Sequence, residues 1–162
     1  LQNIAADNIR SKVYLVPNDM TVDTGTHFFS LSPDGTLNEH WLTMPEGISF
    51  DNVQGMDVHP VDGSIWFADD NIDDVWRIDP STLTVTLEID FIADPETDTG
   101  LPNFNYNAMA FTPDGQHLIV GDIENASAHP NSYLVFGIIP EPASWILLAA
   151  GALVLLGFRR RR

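Results

Sequence analysis

Apolar and polar residues alternate over short stretches of the chain, which is typical of β-strands buried on one face. Residues 84–91 read TVTLEIDF, so the Val, Leu, Ile and Phe side chains share one predicted face. Two continuous apolar runs, 65–67 and 118–120, predict strands buried on both faces. No stretch before residue 139 shows a sustained helical period. Strands are predicted near residues 12–16, 27–32, 37–42, 54–59, 64–69, 74–79, 84–91, 107–112, 117–122 and 132–138.

Glycines that follow aspartate mark several connections between these strands. Asp-Gly occurs at 62–63 and at 114–115, and Pro-Asp-Gly occurs at 33–35. Glycine readily adopts the positive φ that tight turns need, so we predict hairpin turns at all three places.

The body of the chain contains internal repeats. Residues 55–69 align with residues 108–122 at an offset of 53, and residues 29–33 align with residues 76–80 at an offset of 47. Four predicted strands fall within each unit of about fifty residues. The sequence therefore predicts an all-β fold of repeated antiparallel four-stranded sheets.

The repeats resemble blades of the NHL, gluconolactonase and YVTN type of β-propeller. The resemblance lies in Gly-Met-Asp-x-His-Pro at 55–60, Ile-Trp-Phe-Ala-Asp at 65–69 and Val-Trp-Arg-Ile-Asp-Pro at 75–80. It implies that residues 1–138 form about two and a half blades, the first blade lacking its first strand. Closed propellers have four to eight blades, so we expect Leu1 to be an internal position that follows missing upstream blades. A β-sandwich with accidental similarity in its turns is the alternative.

An apolar run near the C-terminus predicts one transmembrane helix. Residues 143–158 read ASWILLAAGALVLLGF and carry no charge. As a helix they span roughly 24 Å, and an interfacial Trp145 with long arginine side chains covers much of the shortfall from the ~30 Å hydrocarbon core. By the positive-inside rule the arginines stay cytoplasmic and the body is exported. A buried helix of a soluble domain is the alternative. The arginines are Arg159, Arg160, Arg161 and Arg162.

A short motif stands directly before the apolar run. Pro140, Glu141 and Pro142 interrupt helical structure and hold the chain extended. Together with the apolar run and the terminal arginines, they resemble the PEP-CTERM sorting signal of Gram-negative bacteria, over residues 139–162. The resemblance implies processing by an exosortase, a membrane protease-transpeptidase, and an association with exopolysaccharide or biofilm-matrix systems. A plain membrane anchor with a chance Pro-Glu-Pro is the alternative.

The start of the sequence gives no export signal. Residues 1–20 contain no apolar stretch behind a basic start, and the first residue is Leu. Either a signal peptide has been removed or the sequence is a fragment of a longer protein. The repeat pattern favours the fragment.

Charge is distributed unevenly between the body and the tail. Residues 1–139 hold only Arg10, Lys12 and Arg77 against 22 acidic residues, a net charge of −19. A surface this negative repels phosphate backbones and argues against nucleic-acid binding. The 44% hydrophobic content supports a folded core. The absence of cysteine excludes disulfides, Cys-ligated zinc and thiol catalysis.

Candidate metal ligands fall in two places. Asn107 precedes Ala-Met on a predicted first strand and resembles the metal-binding Asn of gluconolactonase-like propellers. The equivalent position in the preceding repeat is Gln54, where the family has an acidic residue, and this departure weakens the comparison. Four aspartates crowd one strand connection, and their carboxylates suit Ca²⁺, although solvated turn residues are the alternative. They are Asp69, Asp70, Asp73 and Asp74.

These observations lead to one main interpretation. We expect an exported cell-envelope or extracellular-matrix protein with a propeller-like interaction module, no required cofactor and no enzymatic activity. Its expected partners are an exosortase, the membrane and an exopolysaccharide or envelope proteins. The alternative is a secreted, metal-dependent propeller hydrolase of the lactonase or phytase-like sort.

Overall fold

The structure is a computed structural model, and it describes residues 3–18, 20, 26–69, 74–90, 106–122 and 133–138. These residues form antiparallel strands and turns and include no helix, which confirms the all-β prediction. The strands are β1 (Asn3–Asp7), β2 (Lys12–Val16), β3 (His27–Leu31), β4 (Leu37–Trp41), β5 (Val53–Val58), β6 (Ile65–Asp69), β7 (Asp74–Asp79), β8 (Thr84–Asp90), β9 (Tyr106–Phe111), β10 (His117–Asp122) and β11 (Tyr133–Gly137).

The strands form three sheets in chain order. Strands β1–β4 make the first sheet, β5–β8 the second and β9–β11 the third, and each strand pairs antiparallel with its neighbour in sequence. Every predicted strand is present within a few residues of its expected position. The repeating antiparallel four-stranded sheet is therefore confirmed.

The expectation that the first repeat lacks its first strand is wrong, because β1 pairs with β2 over its whole length. Two features concealed this strand. Ala5 and Ala6 have low β-propensity, and the turn after them carries no Asp-Gly signal. Ser11 adopts φ 51 there, whereas the matching turns of the other two sheets use Gly63 at φ 80 and Gly115 at φ 70.

The strained conformation of Ser11 gives a stability prediction. A left-handed φ costs a residue with a Cβ about 1 kcal/mol relative to glycine. We therefore expect Ser11→Gly to raise the free energy of unfolding by about 0.5–1 kcal/mol, as measured by urea denaturation of the purified chain. Ser32→Gly, at a position that does not adopt positive φ, is the control and should not stabilise the protein. A loss of stability in Ser11→Gly would contradict this account.

Two hydrophobic clusters bind the sheets to one another. The second sheet is buried on both faces, and all five residues of β6 are buried, as predicted for the run 65–67. The first cluster packs the first sheet against the second, and the second cluster packs the second sheet against the third. Large members of the first cluster are Tyr14, Phe28, Phe50, Phe67 and Trp76, and members of the second are Trp66, Val75, Leu118 and Val120.

Strand β8 departs from its predicted pattern. Val85 is buried as expected, but Leu87 is 44% exposed, and Ile89 packs against the second cluster instead of the first. The register between β7 and β8 shifts in this region, so that Glu88 is an extra residue in the ladder. Such a bulge moves the following side chain to the opposite face. The prediction that all four apolar side chains share one face is therefore wrong.

Because neighbouring strands run in opposite directions, the connections alternate between the two ends of the strands. The tight turns after β1, β3, β5, β7 and β9 all lie at the same end, which we call the turn edge. Strand β11 also ends there, where the Ile138 amide donates to the Gln116 carbonyl at 2.8 Å. The described connection between β4 and β5, residues 42–52, lies at the opposite end of the strands.

Candidate functional site

Side chains at the turn edge tie each sheet to the next. The Arg10 guanidinium donates through Nη2 to the Val61 carbonyl at 3.0 Å and lies against Gly63, where an added Cβ would sit 2.6 Å from Cζ. His59 Nε2 lies 3.1 Å from the Gly115 carbonyl oxygen in the same way. The turn after β5 is therefore held between its two neighbours.

A cleft of about 370 Å³ opens at the turn edge between the first and second sheets. Its walls include Arg10, Lys12 and Arg77, which are all the lysines and arginines in the part of the chain that the structure describes. We call it the basic cleft. Its other lining residues are Tyr14, Asp62, Ser64, Asp79, Pro80 and Ser81.

The two arginines of the basic cleft differ in how firmly they are bound. Arg10 also donates through Nη1 to Asp7 at 3.0 Å, so both of its terminal nitrogens are engaged. Arg77 lies 3.5 Å from Asp62 and 3.6 Å from Glu88, longer than good charge-assisted hydrogen bonds. Its buried Nε has no hydrogen-bond partner among the described residues. Arg77 therefore keeps donor capacity.

The carboxylate of Asp62 is fixed by the turn that contains it. Its Oδ1 accepts from the Ser64 amide at 2.8 Å and the Ser64 hydroxyl at 2.7 Å, and lies 2.9 Å from His59 Nδ1. Partial burial raises the pKa of Asp62, but the bonds from Ser64 and the electrostatic effect of the nearby His59 and Arg77 side chains outweigh it and hold the pKa below 3.8. Asp62 is thus a permanent anion in the cleft.

Asp79 repeats this arrangement in the turn after β7. Its Oδ1 accepts from the Ser81 hydroxyl at 2.6 Å and the Ser81 amide at 2.8 Å, and these bonds lower the pKa of Asp79. Burial, with the nearby Asp7 carboxylate, raises the pKa of Tyr14 above 10.0, so the phenol stays neutral. The basic cleft thus presents fixed carboxylates beside its cations.

A second cavity, of about 630 Å³, lies at the same edge between the second and third sheets. Asp62 and Arg77 line both cavities and therefore stand at the ridge between them. Trp66 contributes an apolar wall, and its indole Nε1 donates to the Ser64 hydroxyl at 2.8 Å. The remaining described lining residues are His59, Val61, Glu88, Asp114, Gly115, Gln116 and Ile138.

The lowered pKa of Asp62 gives a pH-dependent prediction. A carboxylate with a folded pKa below its unfolded value contributes stability that is complete above about pH 3.8 and lost as the pH falls through the folded pKa. Because its side chain is 48% exposed, we expect Asp62→Asn to cost only about 0.5–1 kcal/mol at pH 7. The deficit should shrink at acid pH in urea denaturation. A deficit that grows on acidification, or one matched by the exposed control Glu46→Gln, would contradict the assignment.

The predicted calcium ligands are only partly described. Asp69 ends β6 and pairs in register with Asp74 at the start of β7. Asp69 is fully buried, and its Oδ2 accepts from the Asn52 amide at 3.2 Å. Asp70 and Asp73 lie outside the described residues. Within the described ranges no three His, Asp or Glu residues come together as a possible metal site, so calcium binding stays a prediction.

Asn107 and the equivalent position, Gln54, lie on the first strands of their sheets, which are edge strands. Gln54 is on β5 and donates through Nε2 to the side-chain oxygen of Asn52 at 2.7 Å. Asn107 is on β9, but the position of its side chain is not among the described features. Contacts of β5 with both β1 and β9 place these strands side by side. The role of Asn107 as a metal ligand stays a prediction.

The predicted sorting residues lie beyond the described part of the chain. They are Pro140, Glu141 and Pro142, with Arg159, Arg160, Arg161 and Arg162 at the terminus. No helix among the described residues is long and apolar enough to cross a membrane, and the run 143–158 falls outside them.

Comparison with known proteins identifies the tail. Residues 139–162 match the PEP-CTERM protein-sorting motif, which confirms the resemblance seen in the sequence. The motif implies an exported protein that is anchored in the membrane before an exosortase processes it. Comparison with curated proteins finds no match.

Comparison with solved structures shows that the body is similar in fold to β-propeller-like proteins. A luciferin-regenerating enzyme is 16% identical with a TM-score of 0.51, over 85% of this chain and 45% of that one. Virginiamycin B lyase from Staphylococcus aureus is 14% identical with a TM-score of 0.45, over 85% and 41%. An auxiliary nutrient binding protein from Bacteroides thetaiotaomicron is 14% identical with a TM-score of 0.48, over 83% and 31%. The chain thus spans less than half the length of these proteins, and the likeness shows fold alone.

Proposed function

We propose that the chain is a cell-envelope or extracellular-matrix protein whose body, residues 1–138, is an interaction module. The observation that carries the proposal is the sorting motif over residues 139–162, which assigns the protein to an export and processing route. A propeller-like body of stacked antiparallel sheets is a rigid support for binding surfaces at its edges.

The distribution of charge supports an extracellular partner other than nucleic acid. The body carries a net charge of −19, and its described cations gather in one cleft. Before processing, we propose, the helix over residues 143–158 spans the membrane, the terminal arginines are cytoplasmic and the body lies outside. After processing, the body joins the envelope or the exopolysaccharide matrix.

The charged groups of the turn edge are consistent with binding and do not require catalysis. Asp62 and Asp79 are held by hydrogen bonds within their own turns, and Arg10 bridges two sheets. These hydrogen bonds hold each group in place, and each group also remains accessible to a ligand. A metal-dependent hydrolase stays the alternative prediction, with no cluster of three ligands among the described residues to support it.

Localisation tests the proposal. In cells that carry an exosortase, the processed body should be found in the envelope or matrix fraction. Immunoblotting of the fractions with an antibody against the body measures this. A variant without the Pro-Glu-Pro motif should leave the body in the membrane fraction. Recovery of both forms in the same fraction and at the same size would refute the proposal.

A further inference from the structure

The basic cleft gathers every described cation of a strongly acidic body at one place. Arg10, Lys12 and Arg77 are far apart in sequence and reach the cleft from two different sheets. Elsewhere the described surface carries no Lys or Arg, and its carboxylates repel an anionic group. The basic cleft is therefore where an anionic group of a ligand is best accommodated.

Arg77 supplies the main unsatisfied donors. Its side chain is 33% exposed, and its contacts with Asp62 and Glu88 are long, at 3.5 and 3.6 Å. Its buried Nε has no hydrogen-bond partner among the described residues. Because the contacts of Nη1 and Nη2 are long and the side chain is partly exposed, these terminal nitrogens retain donor capacity for an oxygen atom of a ligand. The guanidinium is thus set to bind a carboxylate from a ligand.

The cleft also offers acceptors, which restrict the kind of anion that fits. Asp62 and Asp79 each use Oδ1 for bonds within the turn, and Oδ2 of each retains acceptor capacity. Fixed carboxylates attract hydroxyl donors and repel a compact inorganic anion. A ligand that fits must therefore carry several hydroxyls together with at least one acidic group.

We infer that the basic cleft binds an acidic saccharide. The sugar carboxylate accepts hydrogen bonds from Arg77 with Lys12 and Arg10 nearby, and ring hydroxyls donate to the carboxylates of Asp62 and Asp79. The volume of about 370 Å³ lies in the range of small-molecule sites. This inference rests on the proposed function, since it names the class of matrix component that the exported body would hold.

Calorimetric titration of the purified full-length chain with trigalacturonate tests the inference. Neutral maltotriose and inorganic phosphate serve as comparison ligands. Trigalacturonate should bind at least about tenfold more tightly than either, because only it satisfies both the cations and the carboxylates. Its affinity should also fall as ionic strength rises.

Substitutions locate the binding to the cleft. Lys12→Gln, at an exposed position, should weaken trigalacturonate binding severalfold, and Arg77→Gln should weaken it about tenfold or more. Asp79→Asn should also weaken binding. Asp34→Asn is the matched control, because Asp34 occupies a similar exposed turn, bonded to the Thr36 amide at 2.9 Å, outside the cleft. Unchanged thermal unfolding of Lys12→Gln would show that its fold is intact.

Three results would overturn the inference. They are equal binding of maltotriose, binding of phosphate as tight as that of trigalacturonate, and an equal loss from Asp34→Asn and Asp79→Asn. These results concern the purified chain and do not depend on export. A failure of the sorting experiment with normal trigalacturonate binding would instead refute the proposed route to the cell envelope.

Discussion

Replacement of Pro140, Glu141 and Pro142 by alanines should abolish processing and leave the protein in the membrane. Two prolines exclude continuous helix at this point and keep the chain extended for a protease. Alanine is the strongest helix former, so the variant should extend the apolar helix predicted over residues 143–158 through the recognition site. Immunoblotting of membrane and envelope fractions with an antibody against the body should detect only the longer, membrane-bound form.

A second Pro-Glu pair in the chain provides the matched control. Pro45 and Glu46 lie in the connection between β4 and β5 and are not followed by an apolar helix. Their double replacement by alanine should leave processing unchanged. A mature form of normal size and amount from the alanine variant at residues 140–142 would show that the motif is not the processing signal.

Substitution of Phe50 by alanine should cause the largest loss of stability in the body. Phe50 is fully buried, and its ring meets those of Phe67 at 4.9 Å and Trp76 at 5.0 Å, both edge-on. Its carbonyl accepts from the Met20 amide at 2.6 Å, which ties two connecting segments together. Removing a ring of this kind leaves a cavity and costs about 3–5 kcal/mol.

Urea denaturation monitored by tryptophan fluorescence measures this loss. Phe50→Leu keeps most of the volume and should cost much less, about 1–1.5 kcal/mol. Val61→Ala is the control at a position that is 67% exposed and should change stability by less than about 0.5 kcal/mol. A cost below 1 kcal/mol for Phe50→Ala would show that the first cluster is not the core of the body.

The strands and turns could be predicted because their signals are local. Gly35, Gly63 and Gly115 adopt positive φ in the predicted turns. The run 65–67 forms a strand buried on both faces, whereas in the run 118–120 the first and last side chains are buried and Ile119 is half-buried. Strand β1 could not be predicted, since its alanines and Ser11 carry no such signal. The reversal at Ile89 depends on a one-residue bulge, which the alternating pattern does not reveal.

Much less of the candidate site could be predicted from the sequence. The basic cleft combines residues from two sheets, and the chain spacing between Lys12 and Arg77 contains no motif. Only the scarcity of basic residues in the body hinted that their positions matter. For Asp69, the acidic neighbours in the sequence predict a metal ligand, which stays a prediction, but they do not reveal that its side chain is buried and bonded to the Asn52 amide. Both the grouping of the basic residues and the burial of Asp69 depend on tertiary packing, which local sequence patterns do not reveal.

The exit of the chain at the turn edge limits where the body can stand before processing. Four residues, 139–142, lie between Ile138 and the start of the apolar run at Ala143, so five Cα–Cα steps allow a tether of at most about 18 Å. If that run spans the bilayer as proposed, the end of β11 at the turn edge stays within about 18 Å of the membrane until processing. Cleavage at the motif would then free the turn edge from this constraint.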